Sequence, residues 1–302
     1  MNQPRFFERL WHGLVMPMCA RLNDPLSDGL CLLASRFDRA FRQEVYLALS
    51  HAVPKAFPQL SAGSAGLKNF VDNYLDMLAR ECCDIYCLAR EGTAYLQRTA
   101  SLAAEEDQQT MQWLKDRSKP VIVVCFHFDR LTLAGSLVSS LGRPLSFLTQ
   151  PIDLENPELS PFMRRFLEMK VNVQLTQGTQ RWFVAGRDTR AMVRYLKSGG
   201  GVVVLPDVRL SNEQDALKFG FFGHELLLAD GPLRLAQLTN ADLVYAGVKS
   251  DGRRCRVSLK RLDPSPDIAM QQCAQAFIED VGEAPWRWWQ WNIFDYMITR
   301  SQ

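Results

Sequence analysis

No stretch of the sequence strings together the roughly 18 to 20 apolar residues that a membrane-crossing helix needs. The first apolar run is broken by Glu8, Arg9 and His12, and no small-residue cleavage site follows it, so no secretory signal is read and a cytoplasmic location is expected. An excess of one charge is missing too. With 35 Lys and Arg against 33 Asp and Glu the net charge is +2, which argues against nucleic acid as a partner and leaves any anionic ligand to a local patch. Histidine is scarce, at four residues. The eight cysteines include Cys82, Cys83 and Cys87 close together, but no second CxxC and no nearby histidine accompany them, so they read as reduced packing thiols and no metal site is expected. There is no GxSxG elbow of a serine hydrolase and no GxGxxG of a dinucleotide site. The triple glycine at 199–201 precedes a strand and has no Lys-Ser/Thr after it, which makes it a helix stop rather than a phosphate cradle.

What the chain does have is apolar periodicity. Hydrophobic residues make up 47% and charged residues 23% of 302 positions, the balance of a globular protein. Residues 1–117 read as helical: segments 36–53, 65–90 and 102–117 carry apolar residues at three- and four-residue spacing, broken by Pro54, Pro58 and the SAGSAG turn at 61–66. From Pro120 strands and helices alternate. VIVVCF (121–126), PLSFLTQ (144–150), VNVQL (171–175), GVVVLPDVRL (201–210), DLVYAGVK and RRCRVSLKRL are expected strands. LTLAGSLVSSLG (131–142), PELSPFMRRFLEMK, DTRAMVRYLKSGG and GPLRLAQLT are expected helices. The pattern predicts one α/β domain over 1–302: a mainly helical layer at 1–117, and a core at 118–302 with a mostly parallel central sheet flanked by helices.

Ligands of such sheets lie at the carboxyl ends of the strands. His127 stands there, and so do Asp207 and Arg209. Three roles fit a histidine at a strand exit: general base, metal ligand or capped structural residue. Asp129, just ahead of a helix, suits an N-cap as well as a partner for the imidazole. Arg187, Arg190 and Arg194 share a helix face, either as a phosphate or carrier-protein contact or as a solvated surface. RFFERLWHGLVMPMCARL near the start, and Trp286, Trp288, Trp289 and Trp291 at 286–291, suit a bilayer interface or packing against the domain.

Four blocks in order resemble the lysophospholipid acyltransferase superfamily, and most of all the late acyltransferases of lipid A biosynthesis. They are HFDRLT (127–132), GRDTRAMVRYLKSGGGVVVLPD (186–207), FFGHELLLADGPLRLAQLTNADLVYAGV (221–248) and PWRWWQW (285–291). The resemblance implies an acyltransferase-like fold and an enzyme moving an acyl or aminoacyl group from a thioester to a hydroxyl. His127 would be the general base, and the family's acid, five residues after the histidine, falls on Thr132. Threonine cannot compensate an imidazolium charge, so Asp129 is the expected substitute and Thr132 the lesser partner. Arg187, Arg190, Asp207 and Arg209 become expected substrate contacts. The donor would be carried on a phosphopantetheinyl carrier protein or coenzyme A as co-substrate, with no further cofactor. The acceptor would be a lipid A-type glycolipid at the cytoplasmic face of the inner membrane, met by peripheral attachment. The usual N-terminal membrane helix of that family is not seen, which favours as alternatives an acyltransferase of a specialised pathway with a soluble or carrier-bound acceptor, or a degenerate lipid- or carrier-binding protein.

Overall fold

Two short runs, Val121–Val124 and Gly201–Val204, form adjacent central strands with every residue buried. Valine suits a pleated surface packed on both sides. The computed structural model describes residues 9–22, 24–35, 39–116, 118–151, 154, 156, 159–176, 181–210 and 212–299. Its strands are β1 (Ala100–Leu102), β2 (Val121–Val124), β3 (Leu145–Thr149), β4 (Trp182–Val184), β5 (Gly201–Val204), β6 (Ala216–Phe221), β7 (His224–Ala229), β8 (Asp242–Asp251) and β9 (Arg254–Arg261). Seven of them form one sheet in the order β1-β9-β8-β2-β5-β3-β4, and β6 and β7 form a separate hairpin. The strands from β8 to β4 are parallel; β9 runs against β8 and β1 runs with β9. The fold is α/β with a mostly parallel central sheet.

Helices cover both faces. Those that matter here are α1 (Ala65–Glu91), α2 (Leu131–Leu141), α3 (Pro161–Thr176), α4 (Thr189–Lys197), α5 (Gly231–Thr239) and α6 (Pro266–Glu283). Alternate strand residues divide between two cores: Ile122, Val124, Val202, Val204 and Leu243 on one side, Val121, Val123, Val203, Val244 and Ala246 on the other. The first half of α1 (Leu67, Phe70, Leu75) belongs to one core and its second half (Ala79, Cys83, Ile85, Leu88) to the other. This helix therefore bridges the two faces and brings Tyr74, Glu81 and Asp84 to the segments that leave β2 and close the site.

One expected strand needed correction. VNVQL is the last part of α3, not a strand: the helix runs unbroken from Pro161, and Val173 is buried seven residues after Phe166, on the same face. The FFG stretch is the turn of the β6–β7 hairpin. Phe221 pairs with His224 across the two residues Phe222 (φ 43°) and Gly223 (φ 84°), a positive-φ pair of the kind that matches strand twist. Trp288 and Trp291 are fully buried against Phe221, Phe277 and Phe294, so these two pack in the core rather than at an interface. Residues 5–8 of the N-terminal stretch lie outside the described residues. Among the described residues no helix is long and apolar enough to cross a membrane.

Candidate functional site

Strands β2 and β5 pair in register with Val124 beside Val204, a constant offset of eighty positions. Three residues beyond each strand the same offset sets His127 beside Asp207. His127 Nδ1 is 3.0 Å from Asp207 Oδ1, and the His127 backbone N–H donates to Oδ2 at 2.9 Å. The Trp288 indole N–H donates to the same Oδ2 at 3.0 Å. A carboxylate only accepts, so Nδ1 carries the proton and Nε2 keeps a free lone pair. Asp207 is 0% exposed while the His127 side chain is 25% exposed. The pair is thus a base with a solvent-facing nitrogen, held from behind by a buried charge. Gln290 closes one side: its amide nitrogen donates to the Asp207 carbonyl at 2.9 Å and lies 3.0 Å from Nδ1.

The turn carrying His127 is held by a strap from 287–290. Phe128 forms a bridge with Trp288, the Trp289 N–H donates to the His127 carbonyl at 2.8 Å, and the Asp129 N–H donates to the Arg287 carbonyl at 2.8 Å. The Trp289 indole N–H adds a bond to the Asp129 carbonyl at 2.9 Å. Asp129 sits at φ 49°, a left-handed conformation that aspartate tolerates better than most residues.

The two residues expected to orient the imidazole point elsewhere. The Asp129 carboxylate accepts from the Ser250 N–H at 2.6 Å and hydroxyl at 2.6 Å, with Arg287 Nε at 3.3 Å. It pins β8 and the strap to the turn, and it does not cap α2. Thr132 donates its hydroxyl and backbone N–H to Glu81. The imidazole's partner is Asp207, expected only as a substrate contact. Asparagine at 129 keeps the left-handed backbone and removes the charge. Asp129→Asn is expected to lose about 1 to 3 kcal/mol of stability, because buried donors lose their acceptor. Turnover per folded molecule should be unchanged; an inactive but stable variant would return Asp129 to the chemistry.

Beneath the turn lies a second polar layer. Burial pushes the Glu81 carboxyl up to about 7, opposed by the nearby Lys170 ammonium. A folded-state value above the ordinary 4.5 gives extra stability that is complete at low pH and is lost as pH rises through 7. Glu81→Gln should flatten that window, which spans about 3 kcal/mol at 1.36 kcal/mol per pH unit. Denaturation of both proteins at pH 5 and pH 8 measures it, and equal pH slopes would refute the assignment. Next to it Arg130 and Asp84, both buried, form a two-pronged ion pair that Tyr95 joins at 2.6 Å.

The arginines divide. Arg187 is exposed after β4 and pairs with Asp188, and Arg190 is exposed on α4. Two strand positions separate β4 from β5, roughly 10 Å across the sheet, and neither arginine shows a bond to the histidine. Arg209, two residues past Asp207, stacks on the Tyr296 ring at 3.9 Å. Among the described residues no group of three or more His, Cys, Asp or Glu is placed to hold a metal ion. Sequence reading missed Gln290 and the strap tryptophans as site residues, and it missed Asp207 as the partner. The last was within reach, since VIVVCFH and GVVVLPD align with histidine over aspartate. No family model matches the chain, and no curated protein matches it.

Proposed function

We propose that the protein is an acyltransferase that moves an acyl group from a thioester to a hydroxyl, with His127 as general base and Asp207 as the carboxylate that orients it. The observation that carries this is the His127–Asp207 pair with Nε2 facing solvent. Nε2 takes the proton of the acceptor hydroxyl as its oxygen bonds to the thioester carbonyl carbon. The tetrahedral intermediate then collapses, the C–S bond breaks, and the imidazolium returns the proton to the leaving thiolate. Buried Asp207 stabilises the imidazolium through the whole cycle. The order of the four sequence blocks, which resembles the lipid A acyltransferases, supports a donor on a carrier-protein phosphopantetheine or on coenzyme A, and a lipid A-type glycolipid as acceptor.

A lipid acceptor requires contact with a bilayer, and one feature supports it. Leu10, Leu14, Met18 and Leu22 are exposed at every fourth position, flanked by exposed Arg9 and Arg21. Such a face suits the headgroup boundary of an anionic membrane.

Two measurements test the proposal. Purified protein is mixed with an acyl carrier-protein thioester and glycolipid, and released thiol is followed. Lipid A from cells with and without the protein is weighed by mass spectrometry. Thiol release with a lipid A mass increase supports the reading in full. Thiol release without that increase places the acceptor hydroxyl on a soluble or carrier-bound molecule. No release of thiol with any of these acceptors overturns acyl transfer.

A further inference from the structure

Helix α3 buries the face that carries Phe166 and Val173. Lys170 is on that same face, four residues after one and three before the other, where an apolar side chain is expected. It is half-buried, and among the described residues no carboxylate forms an ion pair with it. Its ammonium instead rests over the Trp289 ring, 5.4 Å from the centroid. The same indole lies beside the catalytic imidazole, with ring centroids 5.7 Å apart. One indole therefore neighbours both a positive charge and the base. Trp289 cannot shift freely, because its backbone and indole nitrogens are both committed to carbonyls of the 127–129 turn.

Burying half a lysine against an apolar face costs stability unless its charge meets a partner. The indole supplies about 0.5–1 kcal/mol at most exposed sites and more where water is excluded. Glu81, whose carboxyl Lys170 holds lower than burial alone would, adds only a long-range attraction. The cation is therefore held towards the site and left open to an anion.

We infer that Lys170 is a phosphate-binding residue of this site and contacts a phosphate carried by one of the substrates. This rests on the acyl-transfer reading for the substrates' identity: the phosphopantetheine arm of the donor carries a phosphate, and so does a lipid A-type acceptor. A lysine meets phosphate as a compact point charge without a fixed fork, which suits a group reached past the edge of an indole.

The test is binding, so it does not need turnover. Wild-type protein, Lys170→Met and Lys170→Arg are titrated calorimetrically with two pairs of probes: 4′-phosphopantetheine against pantetheine, and glucosamine 1-phosphate against glucosamine. In the wild type, the phosphorylated member of one pair should bind at least about tenfold more tightly than its partner. Lys170→Met should abolish that preference, Lys170→Arg should keep most of it, and His127→Ala should leave it intact. Which pair shows the preference tells whether the phosphate belongs to donor or acceptor. No phosphate preference in the wild type, or one that survives in Lys170→Met, overturns the inference. Methionine keeps the apolar stem and removes only the charge, and thermal unfolding checks that the variant is folded. Thiol release by the wild type is measured alongside. If turnover is present and the preference absent, only the Lys170 assignment fails; if turnover is absent and the preference present, only the acyl-transfer reading fails.

Discussion

Asp207→Asn is expected to lower turnover by as much as ~10⁴-fold, the size of the analogous change in the serine proteases. Asparagine fills the same space and still accepts from the His127 N–H or the Trp288 indole. Its amide nitrogen, however, donates, and facing Nδ1 it forces that nitrogen to become the acceptor. The proton then moves to Nε2, the atom that must take one, and the base is blocked. Binding of substrate should change little, so the loss falls on kcat rather than KM. His127→Ala removes the base outright, at a typical cost of ~10² to 10⁴. The two groups act as a unit, so the double variant should be no slower than the worse single one. Single-turnover thiol release reads all three. An Asp207→Asn protein within a few-fold of wild type, beside a dead but folded Asp129→Asn, would dismantle the dyad.

Asp84→Ala is expected to cost about 3 to 5 kcal/mol of stability, a large share of the roughly 5 to 15 kcal/mol that holds a domain together. Arg130 is 2% exposed, and its guanidinium bonds to the Asp84 carboxylate through two nitrogens. Without Asp84 the charge keeps only the Arg253 carbonyl at 2.5 Å and the Tyr95 hydroxyl at 3.4 Å. Moving a guanidinium out of water with that little compensation is the expensive step. The loss would also unseat the turn that carries His127, since Arg130 follows Asp129 directly. Replacing both partners with apolar residues, as in Asp84→Leu with Arg130→Met, should recover most of the loss, because no buried charge is then left alone. Denaturant midpoints measure the series. A single Asp84→Ala variant within about 1 kcal/mol of wild type would show that water or rearrangement shelters the arginine.

Legibility in the sequence followed burial. β2, β5, β8 and β9 are runs whose apolar content reflects packing on one or both faces, and each was read from its residues; so were α2, α4 and α5. VNVQL misled because alternating valines score as a strand, whereas no turn residue separates them from Lys170 and the helix simply continues. β1 and β4 have three residues each, too few for any period to show. At the site, His127 was visible as a scarce residue at a strand exit. Its partner was sought along the chain, at Asp129 and Thr132, because local spacing is what a single sequence displays. The bond that forms crosses from one strand to its neighbour, and only register reveals it. Gln290 and Trp288 come from farther still, and nothing near 127 announces them.

The strap has a bearing on how the molecule is made. Translation delivers the base first and its carboxylate eighty residues later, and by then β2 and β5 are both available to pair. Trp288, which completes the Asp207 bonds, comes 81 residues after that aspartate, and the backbone partners of the 127–129 turn arrive with it. A nascent chain halted before Ala284 has every strand of the sheet and an unfinished site. That chain also lacks Trp288, Trp291 and Phe294 from the core beside β2 and β5, so core and site are completed by the same last segment. Chains that are cut short there would keep Asp207 beside His127 but lack the Trp288 and Trp289 contacts that complete the arrangement.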